Sequence, residues 1–306
     1  MLHTVAKLHY VGDLSQVQIA KQLGLSTATI SRLLQRARAE GIVRIEVRDI
    51  FAPDELGAQL AALLGLKHVI AVEAPTTGVL QALAAPLARL IQAQSLQAGS
   101  VLMVGWGRAV SAVIEAGLPA LPGISVVPST GGMQQHSQYF QSNEFCRRAA
   151  EVTGGVPHFV HAPYLPSAES MGFFLAEASV RASVALWDRI DVAVVGIGMP
   201  YGLDGPHMGI TDRSDPMLAP AAGDVVRHYF DSQGNVIDWQ GEGRMIGVSV
   251  AQLRRAPLVI GLAVGEQKVT SIIGAARAGL ISALIVDSRT AEAILDHCIR
   301  ARLPAA

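Results

Sequence analysis

The stretch "LSQVQIAKQLGLSTATISRLLQRARAEGIVRI" occupies residues 14–45. Its apolar positions, Ile19, Leu23, Ile30, Leu33, Leu34 and Ala37, recur at helical spacing on two segments and are interrupted only at Gly24-Leu25-Ser26. Gly24 takes a positive φ at no steric cost, as a tight turn between crossing helices requires. Ser26 or Thr27 offers an oxygen to cap the second helix. Ala20 is small where the helices must approach, and Leu25 fills the space under the turn. The pattern predicts a helix-turn-helix, with Gln16–Leu23 as its first helix and Thr27–Glu40 as its recognition helix.

With Ile30, Leu33 and Leu34 turned inward, the recognition helix presents Thr27, Ala28, Ser31, Arg32 and Gln35 near its start. Short polar groups, a methyl, an arginine and a glutamine are side chains that reach base edges in a major groove. Gln16, Ser26 and Arg36 complete the expected DNA contacts, and Lys21, Arg38 and the helix N-termini suit phosphates. The plainer alternative is a solvated helical hairpin with no ligand. After it, Gly41 reads as the helix stop, residues 42–48 as a short strand and the Pro53 region as a domain boundary. The division predicted is 1–51 for DNA binding and 52–306 for a larger α/β domain.

Charge follows the same division. Residues 1–50 hold seven Lys/Arg against four Asp/Glu, and residues 51–306 hold 17 against 21. A polyanionic partner therefore suits the front end alone. With 306 residues, 50% of them hydrophobic and 16% charged, the chain has ample apolar material for a core. No apolar run approaches the ~20 residues of a membrane helix, and the start lacks a signal-peptide pattern, so a cytoplasmic protein without membrane association is expected. Cys146 and Cys298 have no metal-type spacing and read as reduced thiols; neither a metal nor a cofactor is expected.

From residue 67 onward, "KHVIAVEA", "VLMVGWG", "ISVVPSTGG", "DVAVVGIG", "LVIGLAVG" and "ALIVDS" alternate with helical stretches. Continuous apolar strands between helices imply a Rossmann-like, largely parallel sheet covered on both faces, with ligands beyond the carboxyl ends of its strands. "VGWGRAV" (104–110) leaves a strand and opens a helix, so its amides and Arg108 suit a phosphate, although Gly105 and Gly107 alone serve a tight turn equally well. It is not a dinucleotide fingerprint: Val110 stands at the third small position, and "GIGMPYG" has Tyr201 at its own. "PSTGGM" (128–133) and "VGEQKV" (264–269) end other strands, the latter placing Lys268 at a helix start. "GDVVRHYFDSQGNVID" (223–238) reads as a β-hairpin turning near Gln233-Gly234-Asn235, in which Asp224 either accepts sugar hydroxyls or caps a turn. His158 and His161 fall on opposite faces of an expected strand, Arg147-Arg148 on a surface helix, and Met171–Leu175 in the core.

Together these motifs, with "GEQKVTSIIGAARAGLISALIVDSRTA" (265–291), resemble the SorC family of bacterial sugar-responsive transcriptional regulators from residue 5 to about 295. The resemblance implies an effector domain of sugar-phosphate-isomerase type, homodimers or homotetramers, double-stranded operator DNA as partner and a phosphorylated sugar or polyol as effector. It implies a phosphate-facing group of Gly105, Trp106, Gly107, Arg108 and Lys268. Thr130, Gly131 and Gly132 would line a second loop, Asn143 would face the pocket, and Asp224 would take the sugar side. Trp106 and Arg108 replace a Gly and a Thr-type donor of some relatives, and Val264 replaces a glycine.

Two rivals are weighed. "GLDGPHMG" (202–209) offers Asp204 and His207 as an acid/base couple for a sugar-phosphate isomerase or deaminase, but a helix-turn-helix has no role in such an enzyme, so no enzymatic activity is expected. A non-specific DNA-binding protein without effector would show salt-dependent binding with no sequence preference.

Overall fold

In the computed structural model, which describes residues 1–43, 53–74, 77–132, 141–199 and 216–302, the chain divides into units of residues 1–50 and 51–306. The first holds helices α1 (Leu2–Tyr10), α2 (Gln16–Leu23) and α3 (Thr27–Ala39). A capping box starts α2: the Ser15 hydroxyl accepts from the Gln18 amide and the Gln18 side chain accepts from the Ser15 amide. Gly24, at φ +64°, ends it, and its N–H and that of Leu25 both donate to the Ala20 carbonyl. Ser26, not Thr27, caps α3, accepting from the Thr29 amide at 3.1 Å. The core joins Val5, Ile19, Ala20, Ile30 and Leu34.

Helix α1 is not foreseen in the sequence reading, since its N-terminus has no side-chain cap and its apolar positions are diluted by two histidines. What orders it is tertiary: Val5 is fully buried in the core shared with α2 and α3. Gly41, at φ +71°, follows the end of α3. Ile42 and Val43 lie in a bend, and the rest of the expected 42–48 strand is outside the described residues.

The second unit is a seven-stranded parallel sheet in the order β1-β9-β8-β5-β2-β3-β4. The strands are β1 (His68–Val72), β2 (Val101–Val104), β3 (Ser125–Pro128), β4 (Val156–Pro157), β5 (Ile190–Gly196), β8 (Leu258–Leu262) and β9 (Ala283–Asp287). Every residue of β2, β8 and β9 is buried, which is why these strands read as unbroken apolar runs. Two hydrophobic clusters cover the faces. One includes Leu60 of α4 (Pro53–Leu64), Ile272 of α12 (Val269–Arg277) and Ile294 of α13 (Ser288–Arg302). The other includes Leu87 of α6 (Ala84–Gln92), Val113 of α7 (Arg108–Ala116) and Phe145 of α8 (Ser142–Thr153). From β2 the chain proceeds outward to β3 and β4, then crosses to the other side of β2 for β5, β8 and β9, so the winding reverses between β2 and β5.

Three expectations are corrected. The antiparallel hairpin β6 (Gly223–Val225) and β7 (His228–Phe230) turns at Val226-Arg227, whose φ values of +53° and +67° fit a type I′ turn. The Asp231–Asn235 turn is a second one, closing the Phe230 to Val236 bridge. His158 and His161 lie beyond β4, which ends at Pro157, so no strand sets their faces. The Met171–Leu175 run is core only in part: Phe174 and Leu175 of α9 (Ala168–Ala176) pack half-buried against the core, but the helix has no fully buried residue and Phe173 is 74% exposed.

Cys146 donates its Sγ–H to the Val126 carbonyl from a fully buried position on α8, and burial pushes its thiol up to about 12. The native protein is therefore expected to resist alkylation at Cys146 at pH 9, where an unfolded thiol is about half ionised or more. Unfolding above the ordinary thiol pKa releases this proton, so that contribution to stability falls as pH rises. Mass spectrometry after iodoacetamide treatment, with and without denaturant, checks it.

Candidate functional site: a cationic cleft at the strand ends

A cleft of about 280 Å³ opens where the winding of the sheet reverses. Its walls come from the loops that follow β2 (Gly105–Ala109), β5 (Gly196–Gly198) and β8 (Val264, Gln267 and Lys268), and from the β6–β7 hairpin (Asp224, Val226 and Arg227). At Gly105 a Cβ would stand 3.2 Å from the Val194 carbonyl oxygen of the neighbouring strand, so a side chain there would have to push that strand back. Gly107, at φ +113°, lets the chain enter α7, and no side chain caps that helix. Arg108 and Ala109 thus line the cleft at the start of a helix whose N-terminus carries partial positive charge and no side-chain cap.

Lys268 leads into α12, and its Nζ donates to the Ile197 carbonyl at 2.6 Å, which aims the ammonium across the cleft from one strand loop to another. Asp224 is 8% exposed; its Oδ2 accepts from the Arg227 amide at 3.0 Å, so it caps the hairpin turn and lines the cleft at once. Arg227 is 4% exposed, donates from Nη1 to the Tyr229 hydroxyl at 3.0 Å, and holds its guanidinium 5.2 Å from the centre of the Trp106 ring. Burial opposes its charge, but the Tyr229, Asp224 and Tyr164 oxygens more than offset this and raise its pKa above the usual arginine value. His228, next in the hairpin, is anchored at both ring nitrogens, to Glu242 and to the Val248 carbonyl, each at 2.7 Å.

The expected residues Gly105, Trp106, Gly107, Arg108, Asp224 and Lys268 thus meet in one place. Thr130, Gly131, Gly132 and Asn143 are not among the described residues that line it. The Thr130 hydroxyl pairs with that of Ser142 at 2.8 Å, and the Gly131 and Gly132 amides donate to the Ile246 and Ala162 carbonyls. Asn143 grips Val160 at both backbone groups. These four knit the loop after β3 to its neighbours; the following residues 133–140 lie outside the described set. The sequence does not single out Arg227 or Gln267, and it marks Gly196–Gly198 only as a glycine-bearing strand end that is not a dinucleotide fingerprint. The turn was the obstacle, because a type I′ turn made of Val-Arg lacks the Asn-Gly signature that marks such turns.

Gly198 makes a separate contribution. A Cβ there would lie 2.0 Å from Asp224 Oδ1, so the missing side chain is the notch into which the carboxylate fits. Gly198→Ala should swing Asp224 off the Arg227 amide and lower the affinity for a hydroxyl-bearing ligand held in this cleft by roughly ten-fold or more, the worth of one hydrogen bond to a charged group. Calorimetric titration reads this; an unchanged affinity would remove Asp224 from the binding surface.

On α3, Thr27, Ala28, Arg32 and Gln35 are exposed together opposite the buried Ile30 and Leu34, with Ser31 half-buried among them. The Ser26 hydroxyl is engaged in the cap and with Thr29 Oγ1, Gln16 opens α2 half-buried, and Arg36 pairs on the surface with Glu40 at 2.6 Å.

A family described as "Putative sugar-binding domain" matches residues 48–296, and sigma-70 region 4 matches residues 7–40. The sorbitol operon regulator of Klebsiella pneumoniae is 31% identical over 95% of this chain and 96% of its own. The crystal structure of the full-length regulator, SorC, superimposes with a TM-score of 0.69 over 96% of this chain and 97% of that one, at 28% identity. The chain belongs to the SorC family. Another relative is the deoxyribonucleoside regulator of Bacillus subtilis, 29% identical over 95% of this chain and 96% of its own. The transcriptional regulator LsrR of Escherichia coli is 28% identical over 95% and 93%. This SorC-family chain is accordingly a DNA-binding transcriptional regulator with a sugar-binding domain, and not an enzyme. The isomerase alternative finds no support among these relatives, and its Asp204 and His207 lie outside the described residues. No helix among the described residues is long and apolar enough to cross a membrane.

Proposed function

We propose that this regulator controls a carbohydrate or polyol catabolic operon, and that residues 52–306 hold a phosphorylated sugar or polyol which sets the grip of residues 1–51 on operator DNA. The observation that carries this reading is the meeting of Arg108, Arg227 and Lys268 with Asp224, the one carboxylate among the described residues that line it, in a cleft at the switch point of a parallel sheet. Three cations beside uncapped amides suit a phosphate, and the cleft's size is just below the ~300–1,000 Å³ usual for small-molecule sites. In this reading Arg108, Lys268 and the Gly105–Gly107 loop take the phosphate, and Asp224 takes hydroxyls. The protein acts in the cytoplasm as a homodimer or homotetramer, since a two-fold assembly matches two half-sites of a pseudo-palindrome. The effector shifts DNA affinity by its preference for one arrangement of the oligomer, commonly ~1–3 kcal/mol.

The test is fluorescence anisotropy with the duplex upstream of the neighbouring genes, titrated with polyol phosphates and with the same polyols dephosphorylated. Only the phosphorylated forms should shift operator binding, and an equal response to both would end the phosphate reading. In the same assay Arg32→Ala should weaken operator binding by ~1–3 kcal/mol and leave effector affinity unchanged. Unaltered operator binding would take Arg32 off the DNA.

A further inference from the structure

Helix α9 carries apolar side chains that the chain itself only half covers. Phe174 and Leu175 pack against the core, whereas Phe173 between them and Gly172 stands 74% exposed. Glu169, one turn before Phe173, and Glu177, the C-cap of the helix, are exposed as well. On the same side a groove of about 410 Å³ begins at Leu175 and is lined further by Arg181, Val184, Trp187, Met245 and Ile246. Arg181 is exposed there and donates to the Ala176 carbonyl at 3.5 Å. Among the described residues Glu169, Glu177 and Arg181 join no ion pair.

A protruding aromatic ring, an apolar groove and charges of both signs thus share one surface. Exposed apolar patches of this kind mark association, and Phe, Met and Arg are enriched where proteins meet. The arrangement also says with what it associates. A two-fold axis makes residue i of one copy meet residue j of the other and the reverse, so a knob and a groove beside each other on one face fill each other twice. The carboxylates flank the knob and the guanidinium stands at the groove, so the rotation that seats Phe173 brings acid toward base. A foreign partner would have to supply both shapes and both charges; a second copy of this chain has them already.

We infer that this face, Phe173 of α9 with the groove beside it, is the two-fold interface between copies of the chain. The inference rests on the oligomer of the proposed function and names its surface. The backbone that lines the groove also supports the effector cleft: the Ile246 carbonyl accepts from the Gly131 amide, and the Val248 carbonyl accepts from His228 Nε2 at 2.7 Å, next to Arg227 in the cleft hairpin. A ligand that shifts the hairpin therefore acts on the interface through the 246–248 segment, and by reciprocity association acts on the ligand.

The experiment is sedimentation velocity over a concentration series of the full chain, native and Phe173→Asp. The native chain should self-associate, and Phe173→Asp should raise the dissociation constant of that step roughly a hundred-fold, because symmetry places the substitution in the interface twice. Native circular dichroism is expected to persist, since the ring removed is exposed. Should it be lost, Arg181→Glu decides instead, with an expected rise of roughly ten-fold. A constant within about three-fold of native in the deciding variant overturns the inference while the oligomer reading stands. A native chain that stays monomeric throughout, with and without operator duplex, removes the oligomer reading and the inference with it.

Discussion

Lys268→Ala is expected to lower affinity for a phosphorylated polyol by roughly a hundred-fold and to leave operator binding without effector unchanged. A charge-assisted hydrogen bond to phosphate contributes on the order of 1.5–3 kcal/mol. Lys268 is also held in place by the Ile197 carbonyl at 2.6 Å, so little side-chain freedom is lost when the ligand arrives. Truncation removes the charge and leaves that carbonyl without its donor at the rim of the site. Titration of the variant with the polyol phosphate, alongside operator binding, checks both halves. A loss smaller than about three-fold would move the phosphate to another part of the cleft.

Ile30→Ala should have an effect of similar size at the other end of the chain. Ile30 is fully buried on α3, in a cluster with Val5, Ile19, Ala20 and Leu34. Emptying such a position costs about 2–5 kcal/mol. A core this small supplies only ~3–5 kcal/mol in total, so the three helices should be largely unfolded at 37 °C. Operator binding should disappear while calorimetric titration still shows the effector bound at native affinity, because the cleft residues belong to the other unit. Operator affinity within about three-fold of native would mean that α3 draws its order from elsewhere.

The helix-turn-helix was legible because its signals are local. Gly24 at positive φ and Ser26 at the cap act within four residues, and the period of Ile19, Ile30 and Leu34 needs only the helix itself. The strands were legible for a related reason: a strand covered on both faces has no polar alternation, so β2, β5, β8 and β9 stand out as apolar runs ending in glycine or acid. Helix α1 was not, because Val5 acquires its burial from α2 and α3. The Met171–Leu175 run misled in part: Phe174 and Leu175 do pack against the core, but apolar composition does not say which side another element covers, and Phe173 is exposed.

The site divides along the same line. Gly105, Gly107, Arg108 and Lys268 could be picked out because each sits at a strand-to-helix junction, where sequence spacing alone aims backbone amides and cations beyond the sheet. Asn143 and Thr130 occupy a comparable junction, yet the described structure engages them in holding Val160 and Ser142. Which residues stand at loop tips is a matter of local order along the chain, and the sequence by itself determined it, together with the class of protein. Which tips meet was decided by the crossover that sets β5 between β2 and β8, by the notch at Gly198 and by the strained Val226-Arg227 turn that buries a guanidinium against Trp106. Those contacts join residues distant along the chain, Gly198 with Asp224 and Trp106 with Arg227, and only the packed sheet brings them together.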